Sequence, residues 1–358
     1  MSSFELLLSG DYLDVDGKTV GDIAVDLIDA QPHIRYGFIE HQRPQKGDAS
    51  YQARLYSLQV EPADVAAADG IVICRPWIKP LAFANGADRL VCIGRAGIGY
   101  DKIDLPACTA NDVVVFNSPH GLTHSTASAA LIFMLTLARK FILQQQLVRT
   151  HRWDLQKDAI GLDLTGCTLG IVGLGQTGRE LARLVAPFQM RIIAYSPHAD
   201  PQQASELNVE LVGSLDQVFS ESDFVSLHGR LTPQTRGMIT AREFGLMKPT
   251  AYFINVARGE MVDEPALISV LREKRIAGAG LDVFEHEPLP PSSPLLSLDN
   301  VILTPHWLCS TVQQARATMS GVLEGVFRVS RGQIPENVLN PEVLGRVGFR
   351  KKLIRFAG

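Results

Sequence analysis

The chain has 358 residues, 46% of them hydrophobic and 20% charged, which is typical of a globular protein with about two domains. Its formal net charge of −4 and isoelectric point near 6.1 give no basic surface of the kind that binds nucleic acid. The longest apolar run, residues 129–138, is about half the length that spans a bilayer, so we expect no membrane partner.

In the first third of the chain, short apolar runs alternate with helical stretches. The apolar runs predict buried strands at residues 4–10, 34–40, 70–76, 90–97 and 113–119. Strands that alternate with helices form a parallel sheet that is covered by helices on both faces.

A long helix is predicted next, over residues 123–149, and a second alternation of strand and helix follows it. Its predicted strands are residues 168–174, 190–196, 223–228, 251–257, 277–284 and 300–304. A final helix is predicted over 310–331, and a basic segment ends the chain. The predicted fold class is therefore α/β, with two doubly wound parallel sheets.

The five cysteines are Cys74, Cys92, Cys108, Cys167 and Cys309, and no two of them form a CxxC pair. No cluster of histidines has the spacing of a metal site either. The N-terminus lacks the basic stretch of a signal peptide. We therefore expect reduced thiols, no metal and a cytoplasmic location.

The sequence GLGQTG at residues 173–178 follows one predicted strand, opens a predicted helix and is followed by another strand. In such a β-α-β unit, Gly173 allows a tight turn, Gly175 lets a pyrophosphate approach the backbone, and Gly178 lets the helix pack closely. The helix N-terminus offers N–H groups to phosphate oxygens. This context predicts a dinucleotide site rather than a simple glycine turn.

Three polar residues follow later strands of the same predicted sheet: Arg258, Glu287 and His306. Each alone is compatible with a surface or loop position. Ligands of open α/β sheets bind beyond the carboxyl ends of the strands, and here a cation, a carboxylate and an imidazole meet there. A guanidinium can bind a planar carboxylate, and an imidazole beside a carboxylate can act as a general acid.

At these residues the chain resembles the D-isomer-specific 2-hydroxyacid dehydrogenases, a family that includes phosphoglycerate dehydrogenase and hydroxypyruvate/glyoxylate reductase. The resemblance covers about residues 70–345 and is carried by GLGQTGRELA, LTPQTRGMI, FINVARGEMVDEPAL and IAGAGLDVFEHEPLPPSSPLLSLDNVILTPH. It implies a flavodoxin-like substrate domain (1–118 plus 309–345), a Rossmann NAD(P)-binding domain (119–308) and a basic tail (346–358). It also implies a homodimer that packs through the helix near 123–149.

The resemblance implies an oxidoreductase that transfers a hydride between a nicotinamide cofactor and a small 2-keto or D-2-hydroxy acid. Arg258 would bind the substrate, His306 would donate the proton in reduction, and Glu287 would pair with His306. Ile98 and Gly99 would bind the substrate carboxylate, and Arg75 would meet an anionic group of the substrate or lie in a surface loop. The implied cofactor-binding residues are Gly173, Leu174, Gly175, Gln176, Thr177, Gly178, Ser196, His228, Ala257 and Asp282.

Ser196 departs from the family pattern, which has an acid there to hold the ribose hydroxyls. No arginine follows within SPHADPQQ to pair with a 2′-phosphate, and His198 is the one candidate cation in that stretch. The choice between NAD and NADP therefore stays open. The roles of His120, His124, Trp77 and Lys79 also stay open.

Two other functions stay open at this point. Formate dehydrogenases share the fold, but they carry Gln where this chain has Glu287. Dinucleotide-sensing proteins that bind partners also share the fold, and they retain the catalytic residue types.

Overall fold

The computed structural model describes residues 3–357, apart from the side chain of His120. The chain divides into two compact units. Unit 1 comprises Met1–Leu122 and Ser310–Gly358, and unit 2 comprises Thr123–Cys309.

Unit 1 contains a five-stranded parallel sheet in the order β2-β1-β3-β4-β5. This is the flavodoxin-like order, whose reversal point lies between β1 and β3. Alternate residues of the strands enter two separate cores on the two faces of the sheet. The strands are β1 (Phe4–Leu8), β2 (Ile34–Phe38), β3 (Gly70–Ile73), β4 (Cys92–Arg95) and β5 (Val114–Asn117).

Unit 2 contains a seven-stranded parallel sheet in the order β12-β11-β10-β9-β6-β7-β8. Its order reverses between β6 and β9, which is where a doubly wound sheet binds a dinucleotide. The strands are β6 (Thr168–Val172), β7 (Arg191–Tyr195), β8 (Val209–Leu211), β9 (Phe224–Leu227), β10 (Tyr252–Asn255), β11 (Gly278–Leu281) and β12 (Val301–Leu303). The prediction of two parallel α/β sheets is confirmed.

The α-helices cover both faces of each sheet. In chain order they are α1 (Val25–Asp29), α2 (Tyr51–Arg54), α3 (Pro62–Ala67), α4 (Leu105–Ala110), α5 (His120–Ala138), α6 (Phe141–Arg149), α7 (Gln176–Val185), α8 (Pro201–Glu206), α9 (Leu215–Glu221), α10 (Ala241–Leu246), α11 (Glu264–Arg272), α12 (Val312–Val329) and α13 (Val347–Ile354).

The single helix predicted over 123–149 is wrong. Lys140 adopts a left-handed conformation with φ of 48°, which ends α5 and starts α6. Residues other than glycine rarely adopt this conformation. Neither glycine nor proline lies near Lys140, so the sequence gives no signal for the break. The strand β8 was also not predicted, because it has only three residues at the edge of the sheet.

By length and composition, residues Gly121–Ala138 of α5 would suffice to cross a membrane. Several of its side chains are instead buried in a core of unit 2, among them Ala130, Phe133 and Leu137. A long apolar helix with side chains buried in this way is typical of the core of a globular domain.

The basic segment 346–358 is not a separate tail. Residues 347–354 form α13, and Phe349, Leu353 and Phe356 are buried in a core of unit 1. Lys352 donates hydrogen bonds to the carbonyl oxygens of Leu90 and Asn111 at 3.0 and 2.7 Å. The basic residues are thus the polar face of a packed helix.

Candidate active site

The glycine loop connects β6 to α7 at the reversal point of the sheet in unit 2. Gly173 has φ of 97°, and a Cβ there would lie 2.7 Å from the backbone nitrogen of Gly229. A Cβ at Gly178 would lie 2.4 Å from the carbonyl oxygen of Gly173. Only glycine permits this close packing of the loop after β9, the loop after β6 and the first turn of α7.

Gly175 is different, because a Cβ at this position would meet no atom within 4 Å. Gly175 is also the N-cap of α7, and no side chain caps the helix. The free space above the N–H groups of the first turn fits the pyrophosphate of a dinucleotide, which the positive end of the helix dipole would also attract. A larger side chain at residue 175 would fill this space.

Ser196 directly follows β7, next to the strand that carries the glycine loop. It is half-buried, and its carbonyl oxygen accepts a hydrogen bond from the Ala199 amide at 3.0 Å. His198 is exposed. The carboxyl end of β7 is therefore followed by a neutral hydroxyl and not by an acid.

His228 follows β9 and contacts the hydroxyl of Ser226, with 2.8 Å between Nε2 and Oγ. Its Nδ1 atom is buried, and no described residue hydrogen-bonds to it. Burial lowers the pKa of His228 to about 4, so this imidazole is neutral at physiological pH.

Arg258 follows β10 in a turn that a buried side chain holds together. The Oδ1 atom of Asn255 accepts a hydrogen bond from the Ala257 amide, and its Nδ2 atom donates to the Arg258 carbonyl, both at 3.0 Å. Asn255 is 1% exposed. Sequence reasoning missed Asn255, although a buried strand that ends in asparagine is a signal for such a turn.

The next residue, Gly259, joins this turn to the loop after β11. A Cβ at residue 259 would overlap the carbonyl group of Phe284. Because residue 259 is glycine, the loop with Arg258 can lie directly against the loop that leads to Glu287.

Glu287 and His306 form a hydrogen-bonded pair, with 2.8 Å between Oε2 and Nδ1. The other oxygen, Oε1, accepts a hydrogen bond from the Phe284 amide at 3.2 Å. The two side chains are 16% and 31% exposed, so the pair is largely shielded from water. With Nδ1 turned to Glu287, Nε2 is the ring atom that can exchange a proton with a substrate.

The charge of Glu287 is stabilised by its neighbours. Burial alone would raise its pKa, but the hydrogen bond and charge of His306, the Phe284 amide and the charge of Arg258 together lower it. The structure thus brings the three predicted catalytic residues together in unit 2, and Glu287 is ionised there.

Asp282 follows β11 and is 3% exposed. Its carboxylate accepts hydrogen bonds from the loop that carries His306, including one from the Thr304 hydroxyl at 2.6 Å. The sequence predicts a cofactor contact for Asp282. It gives no sign of the hydrogen bonds that the loop with His306 donates to this carboxylate.

The predicted substrate-binding residues of unit 1 lie at the carboxyl ends of β3 and β4. The Arg75 guanidinium is 3.4 Å from Oδ2 of Asp11 and packs over the ring of Tyr56. Burial alone would lower the pKa of Arg75, but Cys74, Asp11 and Tyr56 raise it, so Arg75 remains charged. After β4, the Ile98 carbonyl accepts a hydrogen bond from the Asn117 side chain at 2.8 Å, just before Gly99.

The remaining polar residues that the sequence singled out have structural partners where the structure describes them. His124 pairs with Glu180 of α7 at 2.8 Å and is largely exposed. Trp77 donates to the Tyr56 carbonyl at 2.9 Å, and the Lys79 ammonium lies 5.5 Å from the Trp77 ring. The side chain of His120 lies outside the described part of the chain.

Residues 131–307 match the family described as "D-isomer specific 2-hydroxyacid dehydrogenase, NAD binding domain". A glyoxylate reductase of Korarchaeum cryptofilum is 36% identical over 321 residues, which cover 86% of this chain and 96% of that protein. A D-3-phosphoglycerate dehydrogenase of Methanocaldococcus jannaschii is 41% identical over 254 residues, or 71% of this chain.

The matched region spans only 48% of that D-3-phosphoglycerate dehydrogenase. Among solved structures, the TT0316 protein from Thermus thermophilus superimposes with a TM-score of 0.78 at 28% identity, covering 94% of this chain and 99% of that chain. The family resemblance predicted from the sequence is confirmed.

Proposed function

Because the chain belongs to the D-isomer-specific 2-hydroxyacid dehydrogenase family, we propose that it is an oxidoreductase that interconverts a small 2-keto acid and a D-2-hydroxy acid. The observation that carries this proposal is the Glu287–His306 pair beside Arg258, on the sheet whose glycine loop fits a pyrophosphate. Unit 2 is then the NAD(P)-binding domain, and unit 1 is the substrate domain.

A nicotinamide dinucleotide would supply or accept the hydride. The N–H groups at the start of α7 would bind its pyrophosphate, with Gly175 leaving room for it. Ser196 would face the adenosine ribose. The complete set of residues proposed to hold the cofactor is Gly173, Leu174, Gly175, Gln176, Thr177, Gly178, Ser196, His228, Ala257 and Asp282.

Arg258 would bind the substrate carboxylate and polarise the keto oxygen through its planar set of donors. In unit 1, the backbone around Ile98 and Gly99 would bind a carboxylate, as the family resemblance implies. The guanidinium of Arg75 stays protonated, and it would meet an anionic group of the substrate. This part of the proposal favours keto acids that carry a second acidic group.

His306 would donate a proton from Nε2 to the oxygen that becomes an alkoxide during reduction, and it would take the proton back during oxidation. Glu287 would orient the ring through Nδ1 and stabilise the imidazolium form. The low exposure of the pair strengthens this interaction, because water competes with it less.

The protein would act as a cytoplasmic homodimer. Large apolar side chains on and after α6 are exposed, including Phe141 (56%), Ile142 (51%), Val148 (53%) and Trp153 (60%). An apolar surface of this kind on a metabolic enzyme is typical of an interface between subunits. All five cysteines are free thiols, as in a reducing compartment.

The substitution His306→Ala tests the proposed function. We expect dinucleotide affinity to be retained and the rate of keto acid reduction to fall by about 10² to 10⁴, the usual contribution of a general acid. The control is His41→Ala, which removes a half-exposed histidine that pairs with Asp64 at 3.0 Å in unit 1. An unchanged kcat in His306→Ala would exclude His306 as the proton donor.

A further inference from the structure

His306 adopts a backbone conformation that is uncommon for residues other than glycine. Its φ is 52°, in the left-handed region. Few residues with a Cβ adopt this region, although histidine does so more often than most. The amide of His306 donates to the Thr304 carbonyl at 3.0 Å, which closes a very tight turn around Pro305. Something in the fold must stabilise this turn.

One buried oxygen atom binds the turn on both sides of His306. Oδ1 of Asp282 accepts hydrogen bonds from the Thr304 hydroxyl at 2.6 Å, the Trp307 amide at 3.0 Å and the Leu308 amide at 3.2 Å. Asp282 is itself fixed, because its amide donates to the Asn255 carbonyl at 3.0 Å. The hydrogen bonds to a carboxylate are stronger than those to a neutral acceptor.

We propose that Asp282 is a positioning residue that holds the His306 turn in its left-handed conformation, with the Thr304 hydroxyl as its essential partner. Asp282 fixes the backbone on both sides of His306, and Glu287 fixes the ring at Nδ1. Backbone and ring together determine where Nε2 points. The proposal goes beyond the proposed function and rests on it, because it matters only if His306 donates the proton.

This role is separate from a contact between Asp282 and the cofactor. Among the described residues, the hydrogen bonds that the Asp282 carboxylate accepts all end on Oδ1. Oδ2 accepts none of these bonds and is the oxygen left for a contact with another group. Thr304 therefore distinguishes the two roles, since its hydroxyl acts on Asp282 and belongs to no proposed cofactor or substrate contact.

The test compares Thr304→Val, which removes the hydroxyl at nearly constant volume, with Thr304→Ser, which keeps it. In Thr304→Val we expect kcat to fall about tenfold or more, because a small displacement of a catalytic group has a large effect on rate. The KM for the keto acid and the Kd for the reduced dinucleotide should stay within about twofold of the wild type. Thr304→Ser should restore most of kcat.

Amide hydrogen exchange of the segment 304–309, measured on the full chain, gives a readout besides activity. The amides of Trp307 and Leu308 should exchange faster in Thr304→Val and at nearly the wild-type rate in Thr304→Ser. Unchanged exchange in Thr304→Val, or faster exchange with wild-type kcat, would overturn the positioning role. A fall in kcat that is matched by weaker dinucleotide binding would overturn it as well, since Asp282 would then act through the cofactor.

A failure of the proposed function would look different. In that case the wild type would reduce no keto acid, or His306→Ala would keep the wild-type kcat. Failure of the positioning role alone leaves the wild type active, His306→Ala impaired and Thr304→Val fully active.

Discussion

Oε2 of Glu287 and Nδ1 of His306 are 2.8 Å apart, and the other carboxylate oxygen is occupied by the Phe284 amide. Both oxygens of Glu287 are therefore engaged, which fixes the carboxylate and with it the plane of the imidazole. Arg258 adds to the stabilisation of the charge on Glu287.

The first prediction concerns Glu287→Gln, which keeps the shape of the side chain and removes its charge. The imidazolium form of His306 loses the counter-charge that lies 2.8 Å from Nδ1 and stabilises it. Since reduction needs the protonated ring, the rate of reduction should begin to fall at a lower pH than in the wild type. The measurement is kcat/KM for keto acid reduction against pH. If the pH dependence of kcat/KM in Glu287→Gln is the same as in the wild type, the functional pairing of Glu287 with His306 is refuted.

The second prediction concerns Arg258→Lys. An ammonium cannot reproduce the planar set of donors, so we expect kcat/KM for the keto acid to fall by roughly tenfold or more. The Kd for the dinucleotide should be unchanged. If dinucleotide affinity falls and keto acid kinetics do not, Arg258 is a cofactor ligand and its proposed role is wrong.

The third prediction concerns acid stability. The pKa of His228 is lowered to about 4 by burial, whereas an unfolded histidine titrates near 6.5. Between these values the unfolded chain binds a proton that the folded chain does not. The free energy of unfolding should therefore fall by on the order of 3 kcal/mol as the pH drops from about 6.5 to about 4.

Urea unfolding of wild type and His228→Gln at several pH values measures this contribution. The variant should lose less stability on acidification, and the exposed control His198→Gln should behave as the wild type. Equal pH dependence in wild type and His228→Gln would contradict the prediction.

The sequence predicts the parts of this molecule that depend on local pattern. Apolar runs locate the strands, and the order of strands and helices gives two parallel sheets. The positions of Arg258, Glu287 and His306 in loops that follow strands place them at one end of the sheet. Parallel strands bring their carboxyl ends together whatever lies between them, which is why residues so far apart in the sequence can be grouped in advance.

The features that depend on tertiary contacts could not be predicted. Lys140 interrupts a helix with no glycine or proline to signal it. The segment 347–354 has a weak pattern and becomes a helix by packing on unit 1. The binding of Thr304, Trp307 and Leu308 to a single oxygen of Asp282 depends on the pairing of β11 with β12, which sequence spacing does not reveal.

The fourth prediction concerns cofactor choice at Ser196. The wild type should accept both NADH and NADPH, because Ser196 offers about 0.5–1.5 kcal/mol to a ribose hydroxyl and no repulsion to a 2′-phosphate. Ser196→Asp would offer a charged acceptor, worth about 1.5–3 kcal/mol, and would repel the phosphate. The ratio of kcat/KM for NADH to that for NADPH should rise by about tenfold or more. A ratio that does not move would mean that Ser196 does not face the ribose.

The fifth prediction concerns assembly. Phe141→Glu places a charge in the exposed apolar surface on α6 and should shift a dimer toward monomer at micromolar concentration. Analytical ultracentrifugation measures the change, and Val312→Glu, at an exposed apolar residue of unit 1, is the control. A wild-type protein that sediments as a monomer would contradict the proposed dimer.

The most direct test of the proposed function is turnover by the wild-type protein. NADH and NADPH are each offered with a panel of 2-keto acids with one or two acidic groups, and dinucleotide oxidation and the configuration of the product are measured. We predict reduction of at least one keto acid to its D-2-hydroxy acid, with loss of the reaction in His306→Ala. Tight dinucleotide binding without turnover of any keto acid, or oxidation of formate in place of keto acid reduction, would contradict the proposed function.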